Sequence, residues 1–142
     1  MKKTIVYIPG CWDLLHVGHV AILEKAKAAG DILIVGVPTD EVVLEDKKCL
    51  PIITCVQRIR MLEALKCVDM ALPYDKLEFL TALRKYDVDI LVIGEQWGKA
   101  KRHMEAVAYI KEKGGKIVQF PYSKEISTTE IKKKIIEQWG RG

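Results

Sequence analysis

The feature of the sequence that most constrains its fold is the alternation of short apolar runs with amphipathic segments. The apolar runs are rich in β-branched residues and lie at 4–8, 31–37, 68–72, 89–93 and 116–120, the run at 68–72 being the weakest. Nearly unbroken runs of this kind are typical of strands buried on both faces of a parallel sheet. Amphipathic stretches, which indicate helices, lie at 17–29, 55–66, 76–86, 100–113 and 127–138. The alternation predicts one α/β domain over residues 1–142, with a five-stranded, mainly parallel sheet and helices on both faces.

Composition excludes several classes of protein. The 142 residues are 49% hydrophobic and 30% charged, with a formal net charge of +4, which is typical of a globular domain. The apolar run in the segment M-K-K-T-I-V-Y-I-P-G is too short for a signal peptide. No run in the sequence approaches the roughly 18 apolar residues of a membrane span. Basic and aromatic residues are not interleaved as nucleic-acid binding requires. We therefore expect a soluble, cytoplasmic protein without a nucleic-acid or membrane partner.

The cysteines indicate a reducing compartment. Cys11, Cys49, Cys55 and Cys67 are scattered, with no C-x-x-C pair, so their spacing predicts no metal site. We expect reduced thiols. Cys11 is the candidate for a reactive exception, because it lies beside the first predicted loop.

The loops that follow the strands are where a ligand is expected. Ligands of open α/β sheets bind outside the carboxyl ends of the strands, at the point where the strand order reverses. The loops in question are 9–16, 38–54, 73–76, 94–99 and 121–127. Only 38–54 is long, and a long loop in a compact α/β domain is often a mobile lid over a site.

The stretch G-C-W-D-L-L-H-V-G-H, after the first predicted strand, has the residue types that bind phosphate. Gly10 and Gly18 leave room for a ligand near the backbone, and Asp13 can cap or brace the turn. His16 and His19 are three residues apart, so they are neighbours on one face of the helix that starts here. Two imidazoles beside a helix N-terminus can both donate hydrogen bonds to a phosphate.

The candidate residues of this stretch, and others along the chain, also have purely structural interpretations. His16, His19 and His103 would then be surface histidines, and Ser127 and Thr128 would cap a helix before Glu130. Trp12 and Trp97 would be core or rim aromatics, and the solvated charges would be Lys47, Lys48 and Lys132 to Lys134.

Two of the patterns together resemble a known family. D-L-L-H-V-G-H is similar to the H-x-G-H signature of the nucleotidyltransferase superfamily, and I-S-T-T at 126–129 is similar to its second signature. The combination, with Q-R-I-R-M-L-E and I-G-E-Q-W between them, most resembles the small bacterial cytidylyltransferases that act on glycerol phosphate. The adenylyltransferase part of heptose-phosphate enzymes shares both signatures. The resemblance implies a Rossmann-like fold, Mg²⁺ as cofactor and a homodimer.

The resemblance also implies roles for individual residues. His16 and His19 would stabilise the α-phosphate in the transition state, Lys47 or Lys48 would be the mobile lysine of the family, and Ser127 and Thr128 would hold the β- and γ-phosphates. We assign catalytic roles to His16, His19, Lys48, Ser127 and Thr128. Nucleotide contacts are expected at Pro9, Gly10, Cys11, Trp12, Gly18, Lys47, Gly94, Gln96, Tyr122, Ile126 and Thr129. Acceptor contacts are expected at Arg58, Trp97 and Lys124, and Asp13 is the candidate Mg²⁺ ligand.

The sequence departs from the family pattern at two places. Y-S-K-E at 122–125 stands where the glycerol-phosphate enzymes have R-T-E-G, so Tyr122 replaces an arginine whose charge Lys124 would supply from nearby. Glu95-Gln96-Trp97 stands where they have Asp-Asp-Trp. The expected activity is cytidylyl transfer from CTP to glycerol phosphate or a related polyol phosphate, giving pyrophosphate and a CDP-alcohol for a cell-surface polymer. The alternatives are adenylyl transfer from ATP to a sugar phosphate and a non-catalytic nucleotide-binding module.

Overall fold

A computed structural model describes residues 2–121 and 126–140 of the chain. Its strands are β1 (Ile5–Pro9), β2 (Ile32–Pro38), β3 (Met70–Tyr74), β4 (Ile90–Ile93) and β5 (Lys116–Gln119). Its helices are α1 (Val17–Ala28), α2 (Asp40–Lys47), α3 (Cys55–Glu63), α4 (Leu80–Lys85), α5 (Lys101–Glu112) and α6 (Thr128–Trp139).

The strands form a single parallel sheet in the order β3-β2-β1-β4-β5. The predicted Rossmann-like α/β fold is confirmed, and each predicted strand lies within two residues of an observed one. The chain runs outward from β1 through β2 to β3, then crosses back to β4 on the other side of β1. The strand order therefore reverses between β1 and β4, and their carboxyl ends define the expected place for a ligand.

Alternate residues of each strand enter two separate cores. Val6 and Ile8 of β1 pack with α1 and α3 on one face, whereas Tyr7 packs with α4 and α5 on the other. The same alternation holds along β4, where Val92 enters the first core and Leu91 the second. Burial on both faces explains why these strands are almost uninterrupted apolar runs in the sequence.

Two of the predicted boundaries are wrong. The segment 38–54, predicted as one long loop, contains the helix α2, in which Thr39 accepts a hydrogen bond from the Val42 amide and Val43 is buried. The helix predicted over 76–86 starts only at Leu80, where the Glu78 carboxylate accepts a hydrogen bond from the Thr81 amide and the Phe79 carbonyl accepts one from the Leu83 amide.

In the described residues, no helix is both long enough and apolar enough to cross a membrane.

Candidate active site

The loop after β1 has an unusual backbone that depends on one tryptophan. Trp12 and Leu14 both have positive φ angles, of 60° and 50°, a region that costs a non-glycine residue roughly 1–2 kcal/mol. The indole of Trp12 is buried and donates a hydrogen bond to the carbonyl of Gly36 at 3.0 Å. A Cβ on Gly10 would lie 2.9 Å from that indole, so this glycine makes room for Trp12.

His16 and His19 form a reciprocal cap at the start of α1. The Gly18 amide donates to Nδ1 of His16, and the His16 amide donates to Nδ1 of His19, both at 3.1 Å. The imidazole rings are stacked with centroids 3.8 Å apart. The Trp12 and His19 rings meet edge-to-face with centroids 5.5 Å apart, which restrains the His19 ring.

These contacts determine the tautomer of both histidines. A neutral imidazole that accepts through Nδ1 carries its proton on Nε2 and donates there. Burial, helped by the neighbouring His16, lowers the pKa of His19 to about 4, and burial also lowers the pKa of His16. Near neutral pH the pair is therefore uncharged and has two Nε2–H donors available to a ligand.

Asp13 connects the histidine loop to the segment after α2. Its carboxylate is 4% exposed and accepts hydrogen bonds from the amides of Ile52 and Ile53, each at 2.8 Å. Lys132 of α6 lies 3.8 Å from one of its oxygens. The bracing role expected for Asp13 is confirmed. Each of its oxygens already accepts one backbone hydrogen bond, and its role as a Mg²⁺ ligand stays a prediction.

The N-terminus of α6 lies beside the histidine loop. Ser127 caps the helix by accepting a hydrogen bond from the Glu130 amide at 3.1 Å, and the Thr128 hydroxyl donates to the Asp13 carbonyl at 2.9 Å. Ile126 and Thr129 line the same cavity. Lys132, expected as a solvated charge, also lines it. The two signatures of the sequence therefore meet, and the N-terminal residues of α1 and α6 line one cavity.

Arg58 is not at the ligand cavity, and its predicted contact with an acceptor phosphate is wrong in this structure. Its guanidinium is 0% exposed and donates to the carbonyls of Cys11, Pro38 and Ile53 and to the carboxylate of Asp40, at 2.8–2.9 Å. All its bonds are to the protein itself. Arg58 holds together the loops after β1, β2 and α2.

The structure also separates the two candidate lysines. Lys47 lines the cavity. Burial, His16 and Asp13 have larger effects on the pKa of His19, and the charge of Lys47 lowers it further. Lys48 is the C-cap of α2 with φ 64°, and its ammonium donates to the carbonyl of Glu45 at 2.8 Å. Lys48 does not line the cavity, so the catalytic role predicted for it belongs to Lys47 if either lysine has it.

The cavity has a volume of about 940 Å³ and lies over the carboxyl ends of β1 and β4, as predicted. Beyond the two signatures, its lining includes the expected residues Pro9, Gly10, Cys11, Trp12, Gly18, Gly94, Gln96 and Trp97. Burial raises the pKa of the Cys11 thiol, which argues against a reactive thiolate at this position. Tyr122 and Lys124 lie outside the described residues.

One wall of the cavity was predicted only in part, since Trp97 was an expected contact but Tyr74, Phe79 and His103 were not. Tyr74, Phe79, Trp97 and His103 form a continuous aromatic cluster, in which Trp97 and His103 stack with centroids 4.3 Å apart. His103, expected at the surface, accepts a hydrogen bond from the Gly98 amide. Tyr74 and Trp97 lie in loops that follow predicted strands, whereas Phe79 and His103 lie within predicted helices, which gave no signal of a site.

The cavity lies where the strand order of the sheet reverses, and neutral imidazole donors and two helix N-termini line it. This arrangement is typical of phosphate-binding domains of the nucleotide-handling class. Comparison with known families specifies it further. The model of the Cytidylyltransferase-like family matches residues 7–134, so the chain belongs to that family.

Two kinds of relative are similar over nearly the whole chain. Glycerol-3-phosphate cytidylyltransferase of Bacillus spizizenii is 38% identical over 134 residues, covering 94% of this chain and 96% of the relative. Bifunctional protein HldE of Citrifermentans bemidjiense is 35% identical over 142 residues, covering 96% of this chain. The chain spans only 28% of the length of that HldE protein.

Solved structures share the fold. A lipopolysaccharide core biosynthesis protein from Thermoplasma volcanium superposes with a TM-score of 0.69 at 25% identity, over 88% of this chain and all of that one. Pantoate-beta-alanine ligase from Francisella tularensis, at 19% identity and a TM-score of 0.59 over 95% of this chain and 70% of that one, shows a likeness of fold alone.

Proposed function

We propose that the protein is a nucleotidyltransferase that transfers a cytidylyl group from CTP to glycerol phosphate or a related polyol phosphate and releases pyrophosphate. The observation that carries the proposal is the pair of neutral imidazoles, His16 and His19, whose Nδ1 atoms are engaged by backbone amides. Their Nε2–H groups are left to bind phosphate oxygens. The similarity to a glycerol-3-phosphate cytidylyltransferase along almost its full length supports the same substrates.

In the proposed reaction, an oxygen of the acceptor phosphate attacks the α-phosphorus of CTP. The bond from that phosphorus to the bridging oxygen of the β-phosphate breaks, and pyrophosphate takes the electron pair. The acceptor phosphate is already ionised near neutral pH, so no strong base is needed and the protein contributes positioning and charge stabilisation. His16 and His19 donate to the α-phosphate oxygens as their charge increases, while the N-terminus of α6 faces the β- and γ-phosphates.

Mg²⁺ is proposed to enter with the triphosphate. In the described ranges, 2–121 and 126–140, no group of three or more histidine, cysteine or acidic side chains is placed to hold a metal ion. Mg²⁺ at phosphate-transfer sites is bound through substrate phosphates and waters with few protein ligands. We therefore treat it as part of the CTP substrate, and Asp13 as a structural residue.

The test is pyrophosphate release from each of the four nucleoside triphosphates with glycerol 3-phosphate and with a sugar 1-phosphate. We expect CTP with glycerol 3-phosphate to be the most active pair, and CTP with Mg²⁺ to raise the melting temperature most. Highest activity with ATP and the sugar phosphate would favour the alternative that the HldE similarity supports. Binding of a nucleotide without pyrophosphate release from any pair would indicate a binding module.

A cytoplasmic homodimer is proposed as well. α6 has no buried residue, and Ile135, Ile136 and Trp139 are exposed on it, so a second copy packed there would cover an apolar surface. Sedimentation of the wild type and of Trp139→Ala tests this, since a monomeric wild type would contradict it. The product would be a CDP-alcohol for a cell-surface polymer.

A further inference from the structure

The side of the cavity opposite the histidines has an arginine of its own. Arg102, in the first turn of α5, forms an ion pair with Asp46 of α2, with Nη2 and Oδ1 2.9 Å apart. Both side chains line the cavity and are partly solvent-accessible, 28% for Arg102 and 37% for Asp46. Unlike Arg58, Arg102 can therefore meet a ligand.

Arg102 and the histidines reach the cavity from different faces of the sheet. His16 and His19 start α1, which packs in the first core, whereas Arg102 starts α5, which packs in the second. The cavity over the carboxyl ends of the strands thus has donors on two sides. The proposed reaction brings two separate phosphates together, and each needs its own donors before the bond can form.

The histidine side of the cavity is the one proposed for the triphosphate. His19, Thr128 and Lys132 are linked to one another through the loop at Asp13, and Lys47 acts electrostatically on His19. Arg102 forms its ion pair with Asp46 and lies next to His103, which stacks on Trp97. It belongs to the aromatic side of the cavity.

We propose that Arg102 binds the phosphate of the acceptor, an assignment that rests on the proposed nucleotidyl transfer and takes the place of the one expected for Arg58. Its guanidinium can bind two phosphate oxygens at once, and Asp46 holds it in place before the acceptor arrives. His103 supports the same anion. Because its Nδ1 accepts from the Gly98 amide, its neutral ring carries a donor on Nε2. The acceptor class is a phosphomonoester whose body lies against Trp97.

The experiment compares the KM for glycerol 3-phosphate with the KM for CTP in Arg102→Ala and Arg102→Lys. We expect Arg102→Ala to raise the KM for glycerol 3-phosphate about 10- to 100-fold, the range for one lost hydrogen-bonded charge. The KM for CTP should stay within about twofold, since this arginine would not contact the triphosphate. Arg102→Lys should recover part of the loss, because it keeps the charge but not the paired contacts.

The matched control is Arg84→Ala. Arg84 is exposed on α4, which packs in the same core as α5, and its guanidinium lies 5.7 Å from the centre of the Tyr109 ring. This variant should leave both KM values unchanged. Melting temperatures of all variants check that the fold is retained.

Failure of this assignment is distinct from failure of the proposed function. If the wild type is active but Arg102→Ala has an unchanged KM for glycerol 3-phosphate, or an equal rise in the KM for CTP, the acceptor site is wrong and the function stands. If the wild type releases no pyrophosphate with any pair, the function is wrong, and calorimetry with glycerol 3-phosphate decides the site. If glycerol 3-phosphate binds Arg102→Ala more weakly than the wild type, the site is supported. If it binds both proteins equally, or does not bind the wild type, the site is overturned.

Discussion

The hydroxyl of Thr128 donates a hydrogen bond to the carbonyl of Asp13 at 2.9 Å, across 115 residues of sequence. This bond joins the second signature of the chain to the first. Asp13 in turn accepts from the amides of Ile52 and Ile53 through its carboxylate. One residue therefore holds the α1 loop, the segment after α2 and the start of α6 around a common space, and the geometry of the site depends on this scaffold.

Arg58 is predicted to determine stability rather than catalysis. In Arg58→Met the carbonyls of Cys11, Pro38 and Ile53 lose a buried donor and Asp40 loses its counter-ion. Removing one partner of a buried ion pair costs about 3–5 kcal/mol, and because the Asp40 side chain is 31% exposed, the free energy of unfolding should fall by about 3 kcal/mol, the lower end of that range. Urea denaturation measures it.

Arg60→Met is the control for this prediction, because Arg60 is exposed on the same helix. It should change the free energy of unfolding by less than about 0.5 kcal/mol. If Arg58→Met were as stable as the wild type and instead had a higher KM for the acceptor, the scaffold role would be refuted.

Lys47 and Lys48 are predicted to differ although they are adjacent. Lys47→Ala removes a charge from the cavity wall and should raise the KM for the triphosphate about tenfold. Lys48→Gly should leave that KM unchanged and stabilise the fold by up to about 1 kcal/mol, because glycine accepts the φ of 64° at this C-cap without strain. Steady-state kinetics and urea denaturation of both variants test the pair. The opposite pattern of KM values would return the role to Lys48.

The sheet could be predicted from sequence because burial on both faces leaves a direct trace. Strands such as β2 and β4 are apolar at nearly every position, and no other element of this length requires that. The place of the loop before α1 at the cavity could also be predicted, since the residues that cap α1 also line the cavity. In both cases the signal is local in the sequence.

The errors concern residues whose role is set by distant contacts. A guanidinium is ordinarily exposed, and Arg58 is buried because the carbonyls of Cys11, Pro38 and Ile53, which are far apart in the sequence, converge on it. Arg102 and His103 reach the cavity because α5 packs across β4. No residue spacing in the sequence predicts this packing. The helix α2 was missed for a different reason. Charged residues dominate its short length, so it has no clear apolar periodicity.

Stability is predicted to depend on pH through His19. Its pKa is lowered from 6.5 to about 4 by burial first and by His16 second. Between these values the unfolded chain binds more protons than the folded one, so the free energy of unfolding falls as the pH falls from about 7 to about 4. With allowance for partial solvent exposure, we expect a contribution of about 2 kcal/mol at neutral pH.

His19→Asn isolates this contribution, because asparagine can still accept from the His16 amide but does not titrate in this range. Urea denaturation between pH 7.5 and 4.5 should show a shallower pH dependence in the variant than in the wild type. Parallel curves would mean that His19 is not the group responsible.

The last prediction separates the two nitrogens of His19. Nδ1 accepts from the His16 amide and serves the loop, so the proposed chemistry depends on the donor at Nε2. Asparagine places an acceptor near the position of Nδ1, whereas glutamine reaches far enough to place an N–H near that of Nε2. His19→Asn should therefore keep the melting temperature close to that of the wild type and lower kcat about 10² to 10³-fold, the loss expected for one donor to a developing charge. His19→Gln should lower kcat less and the melting temperature more.

The rings of His16 and His19 are stacked with centroids 3.8 Å apart, so the two residues should act as a unit. Replacing both histidines by alanine should therefore lower kcat by less than the product of the two single losses. Pyrophosphate release measures kcat, and near-normal turnover in His19→Asn would show that this imidazole caps a helix and does nothing to the phosphate.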